Sequence, residues 1–279
     1  MEKTILKELK KMAARVRMGV IEGVYNAKSG HPGGSLSVAD ALTYLYFEGM
    51  RINPKNPKWD ERDRFVLSKG HTAPALYAAL ANRGYFDTGE LKYLRKPGHM
   101  LQGHPDKKGT PGVDMSTGSL GQGISAAAGM ALSGKLGGKA YRVYAVLGDG
   151  EIEEGQVWEA AMFAAHKELD NLCVFVDNNG LQIDGTVEEV NSPYPIGEKF
   201  IAFGWRAIEI NGNDFEQLDA AFKEAREEKG RPTAIIGKTV KGRGVSFMEN
   251  QVSWHGTAPN EEQYNKAMEE LRAGLDALD

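Results

Sequence analysis

The sequence predicts an α/β domain, a doubly wound and mostly parallel sheet with helices on both faces. Three observations predict it. Five short, largely apolar runs occur at 64–67, 141–147, 172–176, 205–210 and 233–239. Their near-continuous hydrophobicity is what strands covered on both faces require. Stretches of helical period separate them, and 279 residues are enough for one large domain of this kind.

In chain order, Ile5, Leu9, Met12, Ala13, Val16, Val20 and Val24 recur at helical spacing, which predicts a helix over 5–26. A glycine-rich break, Ser29-Gly-His-Pro-Gly-Gly-Ser35, follows. A second helix is expected over 37–50, with Ser37 as its N-cap. Further helices are expected over 72–83, 120–136, 156–167, 196–203, 215–227 and 260–278. The sequence has no internal repeat and no low-complexity linker, so a single domain is expected over 1–279, with helical extensions at both ends.

The net charge of −4 argues against a general nucleic-acid or anionic-membrane binder, since both use a basic face. No apolar stretch approaches the roughly 18 residues that span a bilayer. The first ten residues are charged and helical in period, unlike a signal peptide. The single cysteine, Cys173, cannot form a disulfide within the chain. Lying in Leu172-Cys-Val-Phe-Val176, it reads as a buried, inert thiol, and a cytoplasmic home fits that usage.

Parallel sheets bind ligands at the carboxyl ends of their strands. One such end reads Val146-Leu-Gly-Asp-Gly150. Its glycines let the backbone approach a ligand, and the helix that follows offers free N–H groups to an anion. Asp149 puts a hard oxygen donor at the same place. Anion and carboxylate are compatible if a cation bridges them, as Mg²⁺ does with one or two protein oxygens and a phosphate. The next strand runs into Asp177-Asn-Asn-Gly-Leu181. One crossover after Asp149, Asn179 can reach the same cation. The turn can add the Leu181 carbonyl as a third oxygen. Alone, Gly-Asp-Gly is an ordinary turn; the pairing with Asn179 makes it a site.

The pairing resembles the thiamine diphosphate motif, a Gly-Asp-Gly followed one crossover later by Asn. Taken whole, the chain resembles the N-terminal, diphosphate-binding domain of transketolase. The likeness rests on Lys28-Ser-Gly-His-Pro-Gly33, Leu67-Ser-Lys-Gly-His71, Gly103-His-Pro-Asp106, Ser116-Thr-Gly-Ser-Leu-Gly-Gln-Gly-Ile-Ser125, Lys238-Thr-Val-Lys-Gly-Arg-Gly-Val245 and Trp254-His-Gly256, besides the two metal segments.

The resemblance implies the thiamine-diphosphate-binding fold of the diphosphate-binding type, and roles position by position. Asp149, Asn179 and the Leu181 carbonyl resemble the protein ligands of Mg²⁺, with Ca²⁺ or Mn²⁺ as substitutes. Gly148 and Gly150 resemble the diphosphate turn. His71 and His255 match histidines that contact the cofactor, and Gly118 and Leu120 match the segment packed beside it. His31, His104 and His255 match groups at the donor-sugar end, expected to contact hydroxyls and move protons. Glu154 resembles an acidic residue near the subunit interface that helps link paired sites. His166 reads as structural, and His99, in a Pro-Gly loop, has no counterpart.

The family's pyrimidine-binding and C-terminal domains have no place within this sequence. The expected arrangement is therefore a split enzyme, in which a second polypeptide carries those domains in an α2β2 assembly acting on sugar phosphates. The helices containing 126–132 and 157–165 are rich in small residues and suit either the chain's own sheet or that partner. Other thiamine diphosphate activities, such as deoxyxylulose-phosphate synthesis or 2-oxoacid decarboxylation, and a non-catalytic cofactor-binding module are the rival readings. Ser29-Gly-His-Pro-Gly33 and Trp254-His-Gly256 favour transketolase over the first, and the intact metal pair weighs against the second.

Overall fold

The computed structural model describes residues 1–278; Asp279, the last residue of the expected domain, lies outside the described residues. Five strands, β1 (Arg64–Leu67), β2 (Val143–Gly148), β3 (Leu172–Asn178), β4 (Arg206–Asn211) and β5 (Thr233–Lys238), form one sheet in the order β1-β2-β3-β5-β4. Every pairing is parallel, so all five carboxyl ends open on one edge.

Alternate residues of each strand enter opposite cores, which explains the continuous apolar runs. Along β2 and β3, Tyr144, Val146, Cys173 and Phe175 join one cluster, while Val143, Ala145, Leu147, Leu172, Val174 and Val176 join the other. On the first side α9 (Phe215–Glu227) packs against β4 and β5, α1 (Lys3–Ala27) packs on α4 (Ala73–Arg83) and α10 (Glu261–Asp276), and all share one core through residues such as Val20, Leu76, Phe222 and Leu271. The second is covered by α5 (Gln122–Leu136), α6 (Gly155–His166) and α8 (Ile196–Ala202), through Ile124, Ala127, Val157, Ala161 and Phe200. The small residues of α5 thus pack on the chain's own sheet, and those of α6 pack on α5 in the same core. Met162 and Phe163 of α6 remain exposed, at 61% and 40%. Cys173 is buried, and burial pushes its thiol up to about 12.

The sequence misplaced one helix. Instead of a helix starting at Ser37, α2 (Pro32–Ser37) begins with Pro32 at its first turn, and α3 (Ala39–Tyr44) runs into a π-helical turn over Leu45–Gly49. Pro is favoured there because that N–H has no helical partner anyway. Ser37 does not cap because it is the last residue of α2, and Val38 stands at the N-cap of α3; the Ser37 hydroxyl shares its proton between the Gly34 carbonyl and the buried Asp177 carboxylate. The short helix α7 (Val187–Asn191) was also missed; Thr186 caps it by accepting the Glu189 N–H. No helix of the described residues is long and apolar enough to cross a membrane.

Candidate functional site

A cleft of about 310 Å³ lies at the carboxyl ends of β1, β2, β3 and β5. Each wall is the loop that follows a strand or breaks a helix. Lys28 takes a left-handed conformation that ends α1 and turns the chain into the His31 loop. His71 sits in a 3₁₀ turn just after β1, and Asp149 follows the last residue of β2. Asn179 follows the last residue of β3, and Lys241 lies three residues beyond β5. His31, His71, Gly118, Leu120, Gly148, Asp149, Gly150, Asn179, Leu181 and His255 all line this one cleft.

Asp149 joins the two metal-type turns. Its carboxylate, 2% exposed, accepts the Gly150 N–H at 3.0 Å and the Gly180 N–H at 2.5 Å. Burial, then the neighbouring Asp177, push its acid up to about 6, against the pull of those two amides. The Asn179 amide nitrogen donates to Asp177 at 3.1 Å, which leaves its carbonyl oxygen to accept the Leu181 N–H at 3.2 Å. The Leu181 carbonyl accepts the Lys241 ammonium at 2.8 Å. One carboxylate, one amide oxygen and one backbone carbonyl make a hard, oxygen-only donor set, the type that suits Mg²⁺, Ca²⁺ or Mn²⁺. Among the described residues no three His, Cys, Asp or Glu side chains converge on a metal-sized site, so softer metals find no such cluster.

Beneath this turn lies Asp177, fully buried. It accepts the Lys69 ammonium, the Ser37 and Thr239 hydroxyls and the Asn179 amide. Burial would raise its acid, but Lys69 and the hydroxyls prevail and hold it below the usual carboxylate range. It therefore stays ionised and fixes the amide orientation of Asn179.

The histidines form a second cluster. Ring centroids of His31, His71 and His255 lie 5.1 to 5.4 Å apart. Burial is the main cause that lowers all three: His31 to about 4, with Arg95 next; His71 to about 2, with Lys69 next; His255 to about 3, with Lys241 next. They are neutral imidazoles near pH 7. The Lys241 ammonium lies 2.9 Å from His255 Nδ1. An ammonium can only donate, so Nδ1 accepts and the imidazole proton sits on Nε2. His31 Nδ1 is buried with no hydrogen-bond partner among the described residues. A buried polar atom left so costs about 1–3 kcal/mol, which a ligand's hydrogen bond would offset.

Two expected site residues stand apart from the cleft wall. His104 is exposed, and its ring packs against Gly118, where an added Cβ would meet it at 3.3 Å, without lining the cleft. Burial and then Arg95 lower its imidazole. Glu154 is exposed at the N-terminus of α6, outside the cleft. His99 stacks on Tyr93 at 4.1 Å, with Nδ1 3.6 Å from the Glu90 carboxylate, and His166 is exposed in the last turn of α6. Neither lines the cleft.

Sequence reasoning missed Lys69, Lys241, Glu151 and Asp177. Lys69 and Lys241 are 2% and 1% exposed and both line the cleft. Burial lowers Lys241 to about 8. The signal was a Lys just past a strand end beside an anion-binding turn. A lysine on the surface would read the same in the sequence.

Residues 8–277 match the family described as transketolase, thiamine diphosphate binding domain. The chain is 46% identical over 264 residues to the 6-deoxy-6-sulfo-D-fructose transketolase subunit SqwG of Clostridium sp. (strain MSTE9), covering 95% of this chain and 96% of that protein. It is 41% identical over 263 residues to one of the apulose-4-phosphate transketolase subunits of Phocaeicola vulgatus, covering 94% and 93%. Against human transketolase it is 45% identical over 252 residues, 90% of this chain but 40% of that one. Transketolase from Campylobacter jejuni superposes on it with a TM-score of 0.90 at 32% identity, covering all of this chain and 46% of that one.

Proposed function

Since the chain belongs to the transketolase family of thiamine diphosphate binding domains, we propose that it is the N-terminal subunit of a thiamine-diphosphate-dependent transketolase. In this reading it works with a second subunit to move a two-carbon ketol unit from a ketose phosphate to an aldose phosphate. The observation that carries the reading is the Asp149 carboxylate tying the turn after β2 to the turn after β3 in the cleft that also holds two buried lysines.

Asp149, the Asn179 amide oxygen and the Leu181 carbonyl would hold Mg²⁺. Gly148 and Gly150, with no side chains, would let the backbone meet the diphosphate. Lys69, Lys241 and the His71 and His255 imidazoles would neutralise and grip it, while Gly118 and Leu120 would pack beside the cofactor. Bound there, thiamine diphosphate supplies the thiazolium carbon that carries the two-carbon unit. His31 and His255, neutral and half-buried, can accept or donate hydrogen bonds to donor-sugar hydroxyls, and the exposed His104, packed against Gly118, would join them. His255 offers its Nε2–H to a ligand because Lys241 occupies Nδ1.

Exposed Met162, Phe163 and Glu154 on α6 support a face for the second subunit, which would carry the pyrimidine-binding domain in an α2β2 assembly. The domain reading, a single diphosphate-binding unit over 1–279, and a cytoplasmic location belong to the same proposal. To test it, the chain is mixed with a candidate partner, Mg²⁺ and thiamine diphosphate. Transfer from xylulose 5-phosphate or another ketose phosphate to an aldose phosphate is expected from the mixture and not from either chain alone. Turnover of pyruvate in place of a ketose phosphate, or full activity of this chain alone, would refute it.

A further inference from the structure

We propose that Glu151 is a positioning residue, a buried clip that assembles the three loops of the diphosphate cradle. The proposal rests on the reading of the cleft given above. Glu151 is 2% exposed, and its carboxylate bonds to two segments distant in sequence and to the last residue of β2. Oε1 accepts the Ser68 hydroxyl and the Gly121 N–H, the latter at 3.0 Å; Oε2 accepts the Gly148 N–H at 3.0 Å. Ser68 follows β1, Gly121 opens α5, and Gly148 ends β2. Those loops carry Lys69 and His71, Gly118 and Leu120, and Asp149.

All three partners of the carboxylate donate. Only a side chain that accepts at both oxygens and donates at neither satisfies them, which a carboxylate does and an amide does not. The loops are in direct backbone contact, so a small shift in one reaches the next. A Cβ added at Gly70 would stand 2.8 Å from the Gly118 nitrogen, and one at Gly123 would stand 2.6 Å from the Ser68 Cα. A residue that served only to start its own 3₁₀ turn would bond to amides of that turn. Ser68 and Gly121 instead lie 83 and 30 residues away. A negative side chain beside an anion site is unfavourable by itself, and the three donors it gathers offset that cost.

The test compares wild type, Glu151→Gln and Ser68→Ala in the full chain. Glu151→Gln turns an NH₂ towards an N–H donor, while Ser68→Ala removes one donor and serves if the first variant folds poorly. Binding of Mg²⁺–thiamine diphosphate and of Mg²⁺–pyrophosphate is measured by calorimetry, and backbone amide exchange by mass spectrometry. Glu151→Gln is expected to weaken both ligands about tenfold, and Ser68→Ala about threefold, by the usual worth of a hydrogen bond to a charged group. Exchange should quicken in 66–72, 118–123 and 146–151 while β3 and β5 keep their protection. A general loss of stability would quicken exchange throughout instead. Failure of wild type to bind either ligand would overturn the reading of the cleft. Binding by wild type that Glu151→Gln matches within about twofold, or uniformly faster exchange, would overturn the clip alone.

Discussion

The Lys241 ammonium donates to the Leu181 carbonyl at 2.8 Å while standing 2.9 Å from His255 Nδ1. One buried cation thus links a proposed metal-ligand carbonyl to a proposed cofactor-contacting imidazole. Replacing Lys241 by Met keeps the apolar stem and removes the charge. The His255 imidazole is then expected to rise from about 3 towards its ordinary value, in part only, because burial is the larger cause. Thiamine diphosphate affinity should fall about tenfold or more, the worth of a charge-assisted hydrogen bond. NMR titration of the imidazole and calorimetry read the two effects; an unmoved His255 would show that Lys241 does not act on it.

Asp149→Ala removes the one carboxylate of the oxygen donor set and the acceptor of the Gly180 N–H. Residues that merely support a metal ligand cost about 10–100-fold in affinity when changed, so loss of the ligand itself should cost at least about 100-fold. Cofactor binding by wild type is expected to vanish on chelation and return with Mg²⁺, whereas the variant should respond to neither. A variant that still shows Mg²⁺-dependent binding would place the metal elsewhere.

Acidification should destabilise the ligand-free chain. His31, His71 and His255 have folded values of about 4, 2 and 3 against an ordinary 6.5, so below pH 6.5 the unfolded chain takes up protons the folded one refuses. Their stabilisation is complete above 6.5 and declines as pH falls towards the folded values. Asp149, raised to about 6 from 3.8, acts oppositely between those two values, because there the folded chain keeps a proton the unfolded one releases. Glu151, also raised by burial, acts in the same sense as Asp149, while His104, also lowered by burial, adds to the other histidines. Four histidines outweigh two carboxyls, so the melting temperature should drop from pH 7 to 5. His71→Gln should flatten that slope; a slope unchanged in this variant would mean that His71 titrates normally.

Gly242 has φ of +80°, and a Cβ there would come within 2.2 Å of the Met248 carbonyl oxygen. Gly242→Ala is expected to destabilise by about 3 kcal/mol, from left-handed strain and overpacking together. Because Lys241 precedes it, cofactor affinity should fall as well. Denaturant melts read the first effect; a loss below about 1 kcal/mol would show that the loop relaxes freely.

The strand and helix pattern was legible because its signals are local. The continuous apolar runs of β2 and β3 announced two-sided burial, and Gly148-Asp149-Gly150 and Asn179 announced a site through turn chemistry and a crossover-sized gap. Ser37 shows where local signals stop: a residue suited to capping instead closes α2, and its hydroxyl meets Asp177, 140 residues away. Lys69 meets the same carboxylate across 108 residues.

By itself the sequence determined the fold class, the metal-type turns and the histidine-bearing loops, since hydrophobic period and glycine or asparagine turns act over a few residues. Tertiary structure alone decided that Lys69, Lys241 and Glu151 are buried in the cleft wall with Asp177 beneath, and that its histidines stay neutral. Burial and the field of a neighbouring charge are properties of residues brought together from distant segments, and no local pattern encodes either.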